Sequence, residues 1–290
     1  MTNARTIVRR STKKSPGNHS KPLYFSQVLD RVMQALECFT DASPELRFTE
    51  LTRRSGLHKS TLYRLLEAMR SYGLVEQDST TRKYHLGLKL LELGGLAADR
   101  LEIGKCATPV LEKLAAETRE TSHLCILDGL DVVYISKVEG THAFHVPSTV
   151  GRRNPAYCTG VGKAILAYIS KEERNVYLAR LAKTRMIAFT NKTIRTPSAL
   201  EKHLDIIRQR GYSIDDEEIS EGLRCIGVPV WNHEGRCVAG ISIAGPKVRM
   251  EDDKIAELAR SVMGAAEAIS RKLGYLGTSN VASAVVRGSS

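Results

Sequence analysis

The chain has 290 residues, 42% of them apolar and 26% charged, and carries a formal net charge of +11. That length suits two domains better than one. No apolar run approaches the roughly 18 residues a membrane helix needs, and the basic start lacks the apolar core of a secretory leader, so a soluble cytoplasmic protein is expected. Six cysteines (38, 106, 125, 158, 225 and 237) form no C-x-x-C pair, which points to reduced thiols rather than a disulfide framework. His142 and His145 make a close histidine pair with no second pair to answer it, so no metal site and no cofactor are expected. The charge is uneven: residues 1–90 hold 16 Lys/Arg against 8 Asp/Glu, and the remainder 27 against 24. A positive excess at one end is the footprint of a nucleic-acid-binding module joined to another domain.

In chain order, residues 1–23 read as a disordered basic arm with Arg5, Arg9, Arg10, Lys13, Lys14 and Lys21 and no acidic residue. Leu29, Val32, Met33, Leu36 and Phe39 fall on one helical face, predicting a helix near 26–40. A short helix over about 49–55, Gly56, and a longer helix over about 59–71 follow. Leu74–Gln77 and Arg82–Leu86 flank a polar turn and read as a hairpin. This order is a winged helix-turn-helix over 24–88, with the helix-turn-helix at about 48–70. Residues 89–104 form a Leu/Ala-rich linker helix whose apolar surplus suits a dimer contact. From 105 to 275 helices and strands alternate. Helices are expected at about 108–119, 159–169, 171–182, 197–210 and 251–273, and strands at 122–128, 132–138, 142–147, 224–231 and 236–244. The fold class is therefore α+β with two domains, the second built on a mainly antiparallel sheet; 276–290 is a polar tail.

Within the helix-turn-helix, Gly56 sits where two crossed helices need a tight turn. Leu62, Leu65, Leu66 and Met69 must face the core, which turns Ser60, Tyr63, Arg64 and Glu67 outward. Ser60, Thr61, Tyr63 and Arg64 can donate hydrogen bonds, and Lys59 and Arg64 add charge in the turns that enter a major groove. Any amphipathic helix has a polar face. The preceding Arg53-Arg54, the glycine turn and the basic Arg82-Lys83 favour double-stranded DNA as its partner. The candidate DNA contacts are Arg53, His58, Lys59, Ser60, Thr61, Tyr63 and Arg64, with Arg82 and Lys83 on the wing.

The stretches SGLHKSTLYRLLEAMRSYGLVEQ (55–77), KYHLGLKLLELG (83–94), PAYCTGVGKAILA (155–167) and DDEEISEGLRCIGVPVWNHEGRCVAGISIAGP (215–246) resemble the IclR (isocitrate lyase regulator type) family of bacterial transcription factors. The likeness covers about residues 24–275 in order and spacing. It implies a GAF-like effector domain, assembly as a homodimer or dimer of dimers, and a small-molecule effector. Operator binding is expected to be palindromic and the expected mode is repression of a catabolic operon.

The segment from Tyr157 to Lys163 is not a phosphate loop: Tyr157 stands where the first glycine belongs and Ala164 where the Ser/Thr belongs. Two readings of the helix start near Thr159 remain open. Its free backbone amides suit a carboxylate, or Gly160 and Gly162 permit close helix–sheet packing. Asp215-Asp216-Glu217-Glu218 could supply acid/base pairs, but no G-x-S-x-G or Cys/His constellation accompanies it, and no catalytic residue is assigned. The family resemblance instead implies an effector pocket lined by Thr159, Gly160, Asp215, Cys225 and Ser242. Ala244 replaces the second hydroxyl of the last strand, a departure that disfavours the smallest polar keto-acids. Cys225 can equally be an inert core thiol.

Overall fold

A computed structural model describes residues 26–40, 42–99, 102–141 and 148–277. The basic arm, the segment 142–147 with its two histidines, and most of the tail lie outside the described residues. The chain divides into two compact units, with the division at Gly95/Leu96.

The first unit is held by one apolar cluster. Helix α1 (Gln27–Leu36) is capped by Ser26, whose hydroxyl accepts from the Leu29 amide. It stops four residues short of the expected end. The Cys38 and Phe39 amides bond back to Ala35 and Leu36, tightening the last turn, and both side chains enter the core beyond the helix. A two-residue strand β1 (Glu45–Leu46) precedes helix α2 (Phe48–Ser55), which ends on Gly56 at φ 70°. That left-handed angle is cheap only for glycine. Helix α3 (Lys59–Ser71) buries Leu62, Leu66 and Met69. Strands β2 (Val75–Gln77) and β3 (Tyr84–Leu86) make the hairpin, and β1 pairs with the other edge of β3, giving the order β1-β3-β2. Two residues are too short to show a period in sequence, so β1 was not foreseen. Helix α4 (Leu88–Asp99) follows, with Leu88, Leu91, Leu93 and Leu96 exposed.

The second unit is a six-stranded antiparallel sheet, order β6-β5-β4-β9-β8-β7, between helical layers. Its strands are β4 (Thr121–Asp128), β5 (Asp131–Val138), β6 (Arg153–Pro155), β7 (Ser213–Asp216), β8 (Leu223–Trp231) and β9 (Cys237–Pro246). Side chains alternate across the faces. Ile226, Val228 and Val230 of β8 join Ile241 and Ile243 of β9 against α5 (Glu102–Thr118) and α9 (Asp252–Lys272). On the other face lie α6 (Gly160–Tyr168), α7 (Lys171–Leu181) and α8 (Pro197–Arg210). Helix α5 begins well before the expected residue 108, with Pro109 inside it. A proline there removes one helical bond. Burial of Ala107, Leu111 and Leu114 in the core outweighs that loss.

Candidate functional site

In the winged unit, α3 presents His58, Lys59, Ser60, Tyr63 and Arg64 to solvent, with Thr61 half-buried. His58 is the residue before the first helical turn, and its Nδ1 lies 2.9 Å from Ser60 Oγ, so these two side chains form one polar unit at the helix start. Arg53 is exposed on α2. Its neighbour Arg54, counted with it as basic charge in the sequence reading, turns inward: it donates to Cys38 O at 3.2 Å and Ser43 Oγ at 3.0 Å. Arg54 therefore ties α2 to the α1–β1 connection. The wing turn is built on Asp78, whose Oδ1 accepts from the Thr80 and Thr81 amides; these bonds hold its carboxyl below the usual range. Arg82 stands exposed at φ 58°, while Lys83 reaches Glu45 of β1 at 3.4 Å. The two wing cations are thus not equivalent.

In the second unit, sheet register assembles the other site. Asp215 lies opposite Cys225, Cys225 opposite Ala244, and Ala244 opposite Thr121. One step along, Ser213, Gly227, Ser242 and His123 form the next row. Above these rows sits the start of α6, and between them opens a cavity of about 270 Å³. Thr159, Gly160, Asp215, Cys225 and Ser242 all line it, with Ala244 beside them.

Thr159 caps α6: its hydroxyl accepts from the Gly162 amide at 3.2 Å and donates to Pro155 O at 3.3 Å. The first α-helical bond is Lys163 N to Thr159 O, so the Gly160 and Val161 amides point out of the helix start without an intrahelical partner. Glycine also serves packing here. A Cβ on Gly160 would lie 3.1 Å from Cys225 Cβ, and one on Gly227 would lie 2.5 Å from Gly160 O. The helix start therefore combines amides free of intrahelical partners with close helix–sheet packing in one seam.

The acidic run splits in two. Asp216 and Glu217 face outward to Lys192, each at 2.8 Å, and Asp216 also holds Arg224. Asp215 and Glu218 face inward. Glu218 pairs with Lys163, a lysine of α6 with no exposed surface, whose Nζ also donates to Ile214 O at 2.7 Å. The Glu218 amide donates to Asp215 Oδ1 at 2.7 Å, and Asp215 Oδ2 is buried with no protein partner. Burial pushes the Asp215 carboxyl up to about 7, against the pull of the Lys163 ammonium, and Glu218 adds to the rise.

The opposite wall holds residues the sequence reading did not single out. His123 Nε2 lies 2.7 Å from Ser148 Oγ, and its ring meets Tyr134 edge-on at 5.1 Å. Burial, helped by the Lys137 ammonium, pushes the His123 ring down to about 3, so it is neutral. Asn154 donates to the Tyr134 hydroxyl at 3.2 Å. Phe189 and Arg152 lie at the rim, both exposed. The signal for His123 was its place two residues from Thr121 on one face of β4, legible only once β9 is known to lie beside that strand. No helix of the described residues is long and apolar enough to cross a membrane.

A winged helix-turn-helix followed by a sheet domain with a pocket that sets a few polar groups in a mainly apolar lining defines a DNA-binding regulator with an effector-binding domain. The family comparisons agree with that class. Residues 28–79 match the IclR helix-turn-helix domain and residues 95–271 match the model described as bacterial transcriptional regulator IclR C-terminal. The chain belongs to the IclR family of bacterial transcriptional regulators, whose members are regulators and not enzymes. It is 37% identical over 249 residues to the HTH-type transcriptional regulator XynR of Escherichia coli, spanning 86% of this chain and 98% of that one. It is 32% identical over 250 residues to the transcriptional repressor IclR of the same organism, spanning 86% and 90%. Among solved structures, an IclR homolog from Microbacterium hydrocarbonoxydans complexed with 4-hydroxybenzoate matches with a TM-score of 0.73 at 25% identity, over 85% of this chain and 98% of that one.

Proposed function

We propose that this regulator represses a catabolic operon by binding a palindromic operator as a homo-oligomer in the cytoplasm, and that a small organic acid relieves it. The carrying observation is the second-domain cavity, which the α6 start (Thr159, Gly160 and Val161), Asp215, Cys225 and Ser242 all line. Amides at a helix start favour an anionic group, and a wall of Tyr134, His123 and Phe189 suits a flat or ring-bearing body. The ligand named for the Microbacterium homolog, an aromatic hydroxy acid, fits that chemistry. Repression is the mode named for the Escherichia coli relative.

For DNA, the proposed contacts are Lys59, Ser60, Thr61, Tyr63 and Arg64 toward base edges, with Arg53, His58, Arg82 and Lys83 toward the backbone. The exposed leucines of α4 are the proposed dimer contact, since an apolar stripe of that kind is rarely left to solvent. A ligand then acts by binding one DNA-competence state better than the other. The test is a DNA-release titration on an inverted repeat beside the gene, using organic acids of the neighbouring pathway. Release by an acid in wild type, and a shifted midpoint in Ser242→Ala, supports the reading. Release that Thr159→Val, Ser242→Ala and Asp215→Ala all leave unaltered places the effector site elsewhere.

A further inference from the structure

Three ionisable groups, all buried, meet at the cavity wall: Asp215, which lines it, and Lys163 and Glu218 behind it. Lys163 is spent on Glu218, which it contacts directly, and on Ile214 O. Asp215 keeps one oxygen on the Glu218 amide and the other, Oδ2, without a protein partner. If all three are ionised the cluster holds one uncompensated negative charge, in a place where an unpaired charge is costly. An anionic effector at the α6 start would add a second. Asp215 stands close to that start, because it is paired in register with Cys225 and Cys225 packs against Gly160.

We propose that Asp215 binds the effector as a neutral carboxylic acid, donating from Oδ2 to an oxygen of the effector's carboxylate, so that an anion entering while Asp215 is ionised brings one proton from solvent. This rests on the organic-acid reading above. The groups facing Asp215 are consistent with it. Lys163 of α6 is held by Glu218, and Cys158 and Cys225 are thiols that burial pushes up, with Asp215 itself adding to the rise. Tyr134 of β5 is likewise pushed up by burial. Across the cavity His123 is neutral, and Arg152 lies at the exposed rim. Apart from Lys163, whose pull burial outweighs, none of these brings a positive charge to Asp215 in place of the proton. Its own carboxyl, raised to about 7 by burial, takes the proton at little cost near neutral pH.

The test uses the full chain. Without ligand, the carboxyl carbon of Asp215 is titrated by NMR and assigned with Asp215→Asn; a midpoint within a unit of 7 is expected, and one in the ordinary carboxylate range overturns the proposal. With pyruvate, benzoate and 4-hydroxybenzoate as probes, calorimetry in two buffers of different ionisation heat counts protons. Uptake approaching one per bound anion is expected at pH 8.5, with affinity falling about tenfold per pH unit above 7.5. Asp215→Asn, which keeps a donor but cannot ionise, should bind with that pH dependence lost. Binding that releases a proton, or ignores pH in wild type, overturns the proposal. If none of the three acids binds although the midpoint stays near 7, it is the organic-acid reading that fails, and proton uptake with it.

Discussion

Gly160 faces Cys225 across a gap so narrow that a methyl group on Gly160 would stand 3.1 Å from the Cys225 Cβ and 3.3 Å from its carbonyl oxygen. The helix start and the central part of β8 therefore touch backbone to backbone. Gly160→Val is expected to lower the stability of the second domain by about 1–3 kcal/mol, the usual cost of overpacking. Urea unfolding followed in that domain checks it. Unchanged stability would mean that the seam opens freely.

On the DNA side, Arg64→Ala should cost about 1–3 kcal/mol on the cognate operator and much less on random duplex, because it is exposed on α3 and is proposed above as a base-edge contact. Arg54→Ala should behave differently. Its guanidinium is bonded to Cys38 O and Ser43 Oγ, so melting of the winged domain should change before any sequence preference does. Binding titrations on both duplexes, beside a melting curve, separate the two.

The wing cations should differ in salt dependence. Each phosphate contact contributes a slope of about 0.9 in log K against log salt. Arg82→Ala is expected to remove most of one such contribution. Lys83→Ala should remove less, since Lys83 already reaches Glu45. Equal slopes for the two variants would show that the Glu45 pairing yields on DNA.

The Lys163–Glu218 pair predicts an asymmetry in stability. Lys163→Met leaves Glu218 buried without its cation and should cost about 3–5 kcal/mol. The double variant Lys163→Met/Glu218→Leu should recover much of that loss. Urea unfolding of the three proteins reads the difference, and a double variant as unstable as the single one would contradict it.

His123 sets an acid limit. Its ring is neutral in the folded protein down to about 3, against an ordinary value of 6.5, so below 6.5 the unfolded chain binds the proton and the folded one does not. Stability is therefore present in full above 6.5 and falls as pH drops toward 3, by up to ~1.4 kcal/mol per unit. His123→Gln should flatten that slope. Unfolding free energies at pH 4.5, 5.5 and 6.5 provide the comparison.

The helix-turn-helix was legible because its core residues recur at helical spacing and Gly56 marks its turn. Strands β8 and β9 were legible because apolar runs flank Asn232–Gly235. Strands β1, β6 and β7 carry two to four residues each, too few for a period, and owe their conformation to the partner that pairs them. The pocket shows the same division. Thr159, Gly160, Asp215, Cys225 and Ser242 came from a family likeness, not from spacing. His123, Tyr134 and Ser148 enter through strand pairing that no local pattern records. Arg54 looked like its neighbour Arg53 in sequence and differs only by which side of α2 meets the core.

The run of glycines along the α6 seam has a mechanical meaning. With Gly160 and Gly227 in near contact, no side chain cushions the start of α6 from β8, and on β9 Gly240 lets the Val161 and Ile165 side chains of α6 seat directly on the strand, where a Cβ would meet Val161 Cγ2 at 2.9 Å. Close-packed backbone transmits strain instead of absorbing it. A displacement of the helix start by an occupant of the cavity would be handed to the middle of the sheet as a shear, and from there to α5 and α9 on the far face. The sensor's stiffness thus resides in residues that have no side chain.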